Sequence, residues 1–286
     1  MRRGKLALFG AAALIGAAAI GVVVWQREAP RTEAAIIDAP VFPDITPRLA
    51  DAARIEVRRH DGTVTLERRD GAWGIAERSH YPARADRVRE VFTGLAELRL
   101  IEERTGNPEL FSRLGLEDVT VEGGTSQLLT VKDGQGATIA ELIVGRRRIR
   151  TAGNLPEAIY VRRPGESRSF LAEGALRLDT DPMLWVEREV LDIKRQRVAR
   201  VTAQRAGAEP ITVVRADPAA EQAAVADPPE EFKPEQHKVD DLPRALEWFS
   251  FNDVRPAAEL AQAEQTGETR IVTFDGLALT IRVVKA

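Results

Sequence analysis

The sequence predicts an α+β protein in which an N-terminal transmembrane helix precedes two tandem units, each made of antiparallel strands followed by a helix. Within residues 53–104, apolar residues first alternate with charged ones, which is the period of a half-buried strand. The spacing of the apolar residues then changes to that of one face of a helix. A second, weaker copy of this pattern begins near Ala199, and an uncharged run occupies the N-terminus.

The first unit is predicted to open with two strands joined by the turn His60-Asp61-Gly62, and a third strand follows Asp70-Gly71. A helix is predicted after Tyr81-Pro82. The strand residues expected to be buried are Ile55, Val57, Val64, Leu66, Trp73 and Ile75, and those of the helix are Val88, Val91, Phe92, Leu95 and Leu98.

The remainder of the first unit is predicted to contain a short helix and two hairpins. Asn107-Pro108-Glu109 combines a capping residue with proline at the first helical position, and Gly115 is suited to end this helix. Extended structure is expected to resume at residues 119–121. The hairpins are predicted within residues 127–144, across Asp133-Gly134, and within residues 159–171, across Pro164-Gly165, with a short helical or turn segment at residues 176–185.

The second unit is predicted from echoes of the first. Ala53-Arg54-Ile55 is matched by Ala199-Arg200-Val201, and the apolar helix residues are matched by Val239, Leu242, Leu246 and Phe249. Residues 211–215 are the expected second strand, residues 216–231 a flexible loop, and Asp275-Gly276 the turn of a last hairpin that corresponds to Asp133-Gly134. Nothing after this hairpin matches residues 159–171, so we expect the second unit to expose a sheet edge unless the first unit or a partner covers it.

Composition limits the possible functions. The chain has 286 residues, of which 44% are hydrophobic and 30% charged, which suits a globular protein with substantial cores. Its net charge of −3 gives no reason to expect nucleic acid as a partner. Because the chain has no cysteine, disulfides, thiolate metal sites and cysteine nucleophiles are excluded.

The N-terminus predicts an uncleaved membrane anchor. Arg2, Arg3 and Lys5 precede an uncharged run from Leu6 to Trp25. About 20 apolar residues are long enough to cross a hydrocarbon core of roughly 30 Å. A cleaved signal peptide is the competing interpretation, but its apolar region is usually about 7–15 residues long. The basic flank predicts a cytoplasmic N-terminus, with residues from about 30 onward outside the cytoplasm.

These features divide the chain into four predicted segments. Residues 1–28 form the cytoplasmic tip and anchor, and residues 29–47 form a Pro-rich tether. Residues 48–194 form the first unit, and residues 195–286 form the second, shorter one.

Chemical motifs are scarce. The histidines His60, His80 and His237 are far apart and lack ligand spacing, so no metal site or cofactor is predicted. Ser79-His80 is adjacent in sequence, but no nucleophile elbow surrounds the pair. No catalytic residue is therefore assigned.

Two features are candidates for binding. Arg146, Arg147, Arg148 and Arg150 form the densest basic cluster, which could contact an anionic ligand, lipid headgroups or an acidic partner, although a solvated loop is the simpler interpretation. Trp248 could mark a partner surface, as could Trp185, because aromatic side chains are enriched at interfaces. Packing between the two units explains both tryptophans equally well.

Several short motifs follow one another between about residue 45 and residue 286. They are Ala53-Arg54-Ile55-Glu56-Val57, Gly71-Ala72-Trp73, Tyr81-Pro82-Ala83, Leu114-Gly115-Leu116-Glu117-Asp118, Leu142-Ile143-Val144-Gly145, Ile159-Tyr160-Val161-Arg162 and Glu187-Arg188-Glu189-Val190-Leu191. In this order they resemble the bacterial domain-of-unknown-function family 4340. Such proteins are typically single-pass and often accompany gliding-motility-type ABC transporters, so the resemblance implies an accessory extracytoplasmic component. The family has no established catalytic residues to carry over.

Two functional classes stay open. The preferred one is a membrane-anchored, non-catalytic binding or scaffold module of a transport or envelope complex, with the bilayer and a protein as its partners. The alternative is an envelope hydrolase that acts on glycan or peptide through a pair of carboxylates about 5–9 Å apart.

Overall fold

The structure, a computed structural model, describes residues 36–148, 156–228, 230–231 and 233–285. The protein is α+β with mostly antiparallel sheets, as predicted, and its helices are few and short. The helices of the described residues are α1 (Ile45–Leu49), α2 (Ala85–Glu97), α3 (Phe111–Leu114) and α4 (Gln236–Asp241).

Strands make up most of the described chain. Those of the first sheet are β1 (Ile36–Pro40), β2 (Ala52–Arg59), β3 (Gly62–Arg69), β4 (Ala72–Ile75), β5 (Tyr81–Pro82), β6 (Arg99–Glu103), β7 (Gln127–Asp133), β8 (Thr138–Arg148), β9 (Ala158–Arg162) and β10 (Ser169–Glu173). Those that follow are β11 (Glu189–Leu191), β12 (Val198–Arg205), β13 (Ile211–Val214), β14 (Ala224–Val225), β15 (Phe249–Ser250), β16 (Glu264–Thr273) and β17 (Ala278–Lys285).

The first sheet has ten strands in the order β1-β6-β10-β9-β8-β7-β2-β3-β4-β5. Its core forms where the predicted helix packs on the predicted strands. Val88, Val91 and Leu95 of α2 are buried together with Ile55 and Leu66, which face each other across β2 and β3. The alternating and helical periods of the sequence therefore identified this core correctly.

The second sheet has five strands in the order β17-β16-β12-β13-β14, and β11 pairs with β15 in a separate ribbon. This order is the same as that of β8-β7-β2-β3-β4 in the first sheet. The registers also agree. Ile55 lies opposite Leu66 and Val131, and Val201 lies opposite Val213 and Ile271.

The matching turns of the two sheets differ from the prediction by two residues. In the β7–β8 hairpin the backbone N–H of Gly136 donates to the carbonyl of Asp133, with φ of 84° at the glycine. In the β16–β17 hairpin Gly276 donates in the same way to Thr273, with φ of 89°. Asp133 therefore corresponds to Thr273, and not to Asp275, because glycine is required at the left-handed position of each turn.

Residues 36–47, which the sequence assigns to a tether, belong to the fold. Strand β1 pairs with β6, and α1 follows it. Val41, Phe42 and Ile45 are buried in the first core. The prolines of this segment interrupt regular structure, but its apolar side chains are still buried in the first core.

Three of the structural elements predicted from the sequence are wrong. Residues 119–121 form a turn, in which Val121 N–H donates to Asp118 O, and not a strand. The helix predicted over residues 239–249 ends at Asp241, because Pro243 cannot donate a helical hydrogen bond and only a 3₁₀ turn follows. The loop predicted over residues 216–231 contains β14, which pairs with β13 beside the buried Ala223.

The predicted anchor from Leu6 to Trp25 lies outside the described residues. Among the helices of residues 36–148, 156–228, 230–231 and 233–285, none has the length and apolar character needed to cross a membrane.

Residues that follow β15 return to the first sheet. Phe251 and Val254 pack against the first core, and the ring of Phe251 meets that of Tyr81 edge-to-face at 5.6 Å. The Arg78 side chain donates a hydrogen bond of 2.7 Å to Asp253. The second unit is thus joined to the end of the first sheet that carries β4 and β5.

Candidate functional site

Of the arginine cluster predicted from the sequence, the members that the structure describes lie at the end of strand β8 and not in a loop after it, namely Arg146, Arg147 and Arg148. Val144 lies opposite Val161 of β9, whereas Arg147 lies opposite Ile159, so β8 carries one extra residue at this point. Such a β-bulge changes the direction of the side chains. In a regular strand, Arg146 and Arg147 would point to opposite faces, but here both line the same cleft.

The bulge is held by a close approach of backbone to backbone. A Cβ at Gly145 would lie 2.4 Å from the carbonyl oxygen of Leu114, so only glycine fits this position. The turn that follows α3 has Gly115 at φ of 68°, which brings Leu116 against the strand. Two of the short sequence motifs, Leu114–Asp118 and Leu142–Gly145, therefore meet at this contact.

Two more arginines reach the cleft from distant parts of the chain. Arg87 extends from α2, and its guanidinium lies 5.5 Å above the ring of the buried Trp185. Arg177 lies between Leu176, which is buried, and Leu178, which packs on the first core. The two leucines anchor this segment and direct Arg177 to the surface.

We call this feature the arginine cleft. It encloses about 390 Å³ and is lined by polar residues from α2, β7, β8 and the segment after β10, namely Arg87, Gln127, Arg146, Arg147, Arg177 and Asp179. Four arginines and one aspartate thus border a single depression. In a protein with a net charge of −3, this is a local reversal of sign.

Ion pairs occupy only some of these guanidinium groups. Arg147 donates a hydrogen bond of 3.1 Å to Glu157, and Arg177 lies 3.9 Å from the same carboxylate. Arg87 pairs with Glu90 on its own helix. Arg146 is exposed and makes no ion pair with any residue that the structure describes. It is therefore the cleft guanidinium that is most available to an incoming anion.

Asp179, the acidic residue of the cleft, also interacts with residues outside it. The pKa of Arg59 is raised mainly by its hydrogen bond to Asp61, and the charge of Asp179 adds a smaller contribution. The backbone carbonyl of Asp179 accepts a hydrogen bond of 3.0 Å from the Trp185 indole. The indole hydrogen bond ties the backbone at Asp179 to the buried Trp185.

The other predicted binding residues are not in the arginine cleft. Arg148 is half-buried opposite Ala158 and does not line it. Arg150 lies outside the described residues. Trp248 is 68% exposed with φ of 56°, and the Lys194 ammonium lies 3.8 Å above its ring. It belongs to the second unit and does not border the cleft.

The remaining aromatic candidate is a core residue. Trp185 is fully buried in the first core, so packing, and not a partner surface, explains it.

Several carboxyl groups at the surface accept hydrogen bonds from arginines. Such hydrogen bonds lower the pKa values of Asp61, Asp86, Glu103 and Asp253. An acid catalyst in a glycosidase needs a shift in the opposite direction. Within the described ranges, no group of three or more His, Asp or Glu residues could hold a metal ion.

The sequence density of arginines pointed to Arg146 and Arg147. It gave no signal for Arg87 and Arg177, because their spacing along the chain has no relation to β8. Only the packing of α2 and of residues 176–178 on the first sheet brings the four together.

A family model described as a domain of unknown function (DUF4340) matches residues 73–266. The chain belongs to this family. No curated protein and no solved structure matches it.

The DUF4340 match begins in β4 and ends in β16, so it includes parts of both sheets. It also includes all the residues that form the arginine cleft. The resemblance seen in the short motifs is therefore confirmed, and the cleft belongs to the family's own region of the chain.

Proposed function

We propose that this DUF4340 protein is a non-catalytic binding module whose arginine cleft holds an anionic segment of a protein partner. The observation that carries the proposal is the convergence of Arg87, Arg146, Arg147 and Arg177 on one depression, with Arg146 unpaired among the described residues. Arginine presents a planar fork of donors that matches a carboxylate or phosphate, so four of them favour an acidic partner.

The partner, in this proposal, is a component of a transport or cell-envelope complex. The cleft, at about 390 Å³, is near the lower end of the range for ligand pockets and has room for one or two acidic side chains. A bound carboxylate would replace the weak 3.9 Å contact between Arg177 and Glu157. Charge complementarity of this kind mainly gives specificity and a faster association rate.

The test compares an Arg146→Gln/Arg147→Gln variant with the unchanged protein. Membranes are solubilised in detergent, proteins are crosslinked and captured with the full chain, and partners are quantified by mass spectrometry. A labelled poly-glutamate peptide measures the affinity directly. We expect the variant to lose at least about tenfold in affinity for the peptide, because charge-assisted hydrogen bonds are lost, and to lose the same captured partner.

The matched control neutralises two arginines that lie outside the cleft. Arg58 and Arg200 are exposed and lie on strands β2 and β12, so an Arg58→Gln/Arg200→Gln variant changes the net charge equally. The proposal is overturned if both variants bind alike. It is also overturned if vesicles with anionic lipid compete for Arg146 and Arg147 while no acidic peptide does.

In the same proposal, Leu6 to Trp25 anchors the protein in the bacterial inner membrane and the folded part is extracytoplasmic. The basic residues Arg2, Arg3 and Lys5 before the run support this orientation. A reporter fused after Ala286 should be active only outside the cytoplasm. Release of a soluble form that begins near residue 20 contradicts the anchor, and a cytoplasmic reporter contradicts the orientation.

We also propose that the two units derive from one duplicated segment. The common order of five strands and the equivalent registers around Ile55 and Val201 support this origin. The helix differs most between the copies, since α2 spans 13 residues and α4 only 6. In this view the second copy kept the sheet, but the helix that covers it became shorter.

A further inference from the structure

Strand β17 differs from the other sheet edges of the described chain. The first sheet ends in β1, which finishes at Pro40, and in β5, which contains only Tyr81 and Pro82. The other edge of the second sheet is β14, with two residues. Short edge strands and prolines prevent unwanted pairing. Strand β17 has eight residues and no proline, and no described strand pairs with its outer side.

The hydrogen bonds of the β16–β17 hairpin show which backbone groups of β17 are open. Leu277 accepts from the Thr273 N–H, and Val283 accepts from the Thr266 hydroxyl, so their carbonyls face β16. Because orientation alternates along an antiparallel strand, the N–H and C=O groups of even-numbered residues face outward. These residues are Ala278, Thr280, Arg282 and Val284.

The first sheet shows what occupies the equivalent edge. Counting along the strands from the matched pair Val131 and Ile271, Val144 of β8 corresponds to Val283 of β17. Strand β9 pairs antiparallel with β8 and places Val161 opposite Val144. Val144 is therefore buried, whereas Val283 is 50% exposed. The architecture is thus suited to an antiparallel strand with apolar residues at this edge.

We propose that β17 pairs antiparallel with β17 of a second copy of this chain, so that two second sheets join into one across a two-fold axis. The register places Ile281 opposite Ile281 of the second copy. Leu279 then faces Val283, and Ala278 faces Val284. This interface is isologous, as expected for a two-fold dimer, and it adds a strand at the edge that β9 occupies in the first sheet.

The strand itself selects this register. The outward N–H and C=O groups belong to even-numbered residues such as Thr280 and Arg282. An even-numbered residue must therefore face another even-numbered residue across the axis, so the two residue numbers of each facing pair have an even sum. Centring on Arg282 would bring two guanidinium groups directly opposite each other, which is destabilising. Centring on Thr280 would pair only residues 278–282 of the strand. Centring on Ile281 avoids the arginine contact and pairs every residue from Ala278 to Val284.

Single cysteines test the register, because the chain has none of its own. In the full-length protein, Ile281→Cys should form a disulfide-linked dimer on mild oxidation, since facing residues at a non-hydrogen-bonded site have close Cβ atoms. Val283→Cys should not crosslink with itself, but it should crosslink with Leu279→Cys when the two variants are mixed. Self-crosslinking of Val283→Cys at the same rate as Ile281→Cys would overturn the register.

A proline variant tests the pairing independently. Thr280→Pro removes an N–H that faces away from β16, so the hairpin can persist while the dimer loses two symmetric hydrogen bonds. Thr280→Val is the matched control, because it keeps the N–H. In analytical ultracentrifugation we expect the proline variant to dimerise at least about tenfold more weakly. Hydrogen exchange of β16 then verifies folding. An unchanged dimer in the folded variant, or a monomeric unchanged protein, overturns the proposal.

Discussion

At the scale of residues, the buried guanidinium of Arg162 connects its own short sequence motif to the motif Leu114–Asp118. Its side chain is 4% exposed, donates 3.0 Å to the carbonyl of Leu116 and 2.6 Å to the carboxylate of Asp118. Its Cζ atom lies 4.6 Å from the ring centre of Phe111. The turn at residues 114–118 also contacts Gly145 of β8. Arg162 therefore stabilises the turn against which the bulged end of β8, and with it the arginine cleft, packs.

We therefore expect Arg162→Lys to destabilise the protein by about 3 kcal/mol, because an ammonium cannot replace the fork of hydrogen bonds and the stacking. Chemical denaturation measures the change. Arg163→Lys is the control, since its guanidinium donates a single hydrogen bond, to the carbonyl of Val41, and should cost less. Equal losses for the two variants would show that the hydrogen bonds of Arg162 contribute no more to the stability of the protein than the single hydrogen bond of Arg163.

Residue patterns predicted part of the candidate site. The density of arginines in the sequence was enough to identify the run Arg146-Arg147-Arg148. The direction of their side chains depends on a β-bulge, which the alternating pattern of a strand does not predict. Arg87 belongs to the polar face of a helix and Arg177 to an irregular segment. Their place in the cleft follows from tertiary packing and could not be derived from spacing.

At the scale of elements, α2 is the part of the fold that the sequence predicted best. Its apolar residues recur at helical spacing, and Val88, Val91 and Leu95 are all buried against the first sheet. The helix after β14 was predicted too long because periodicity ignores the missing N–H of Pro243. Strand β14 was missed because two residues give no period, and only its pairing with Val213 and Val214 defines it.

The packing of α2 leads to a contrast between its two faces. Leu95 is fully buried, so Leu95→Ala should destabilise the protein by about 2–5 kcal/mol through lost burial and a cavity. Arg89 is exposed on the same helix, and Arg89→Ala should change the stability by less than about 0.5 kcal/mol. Thermal and denaturant unfolding measure both. Similar losses at the two positions would be incompatible with the observed orientation of the helix.

At the scale of the whole molecule, the two sheets are joined through a short segment after β15. Arg188 donates 2.9 Å to the carbonyl of Phe251 and 2.7 Å to the side chain of Asn252. Phe251 then packs on Tyr81, and Asp253 accepts from Arg78 of the first unit. The family match spans this junction.

The ion pair at the junction predicts a pH dependence. The hydrogen bond from Arg78 lowers the pKa of Asp253, and the N–H of Val254 adds to this effect. A lowered pKa in the folded state stabilises it above the unfolded value, about 3.9 for aspartate, and the benefit is lost as pH falls through the folded value. Asp253→Asn should therefore be less stable than the unchanged protein at neutral pH, with the difference disappearing in acid.

Denaturant unfolding at several pH values measures this difference. Arg78→Gln serves as the control, because Asp253→Asn should have a smaller pH-dependent effect in its background. A difference between the two proteins that is constant from neutral pH into acid would contradict the role of the carboxylate charge.

The same junction determines how the second unit unfolds. Its main core contains few fully buried residues, namely Ile193, Val198, Val201, Leu246 and Ile271, so docking on the first sheet should contribute much of its stability. Phe251→Ala should cost about 2 kcal/mol, less than a fully buried phenylalanine, because Phe251 is half-buried. Hydrogen exchange should then accelerate in β12 and β16 while β2 and β7 keep their protection. Phe274→Ala, at an exposed turn, should leave both sheets unchanged. Equal acceleration in both sheets after Phe251→Ala would mean that they unfold only together, and that docking does not limit the second unit separately.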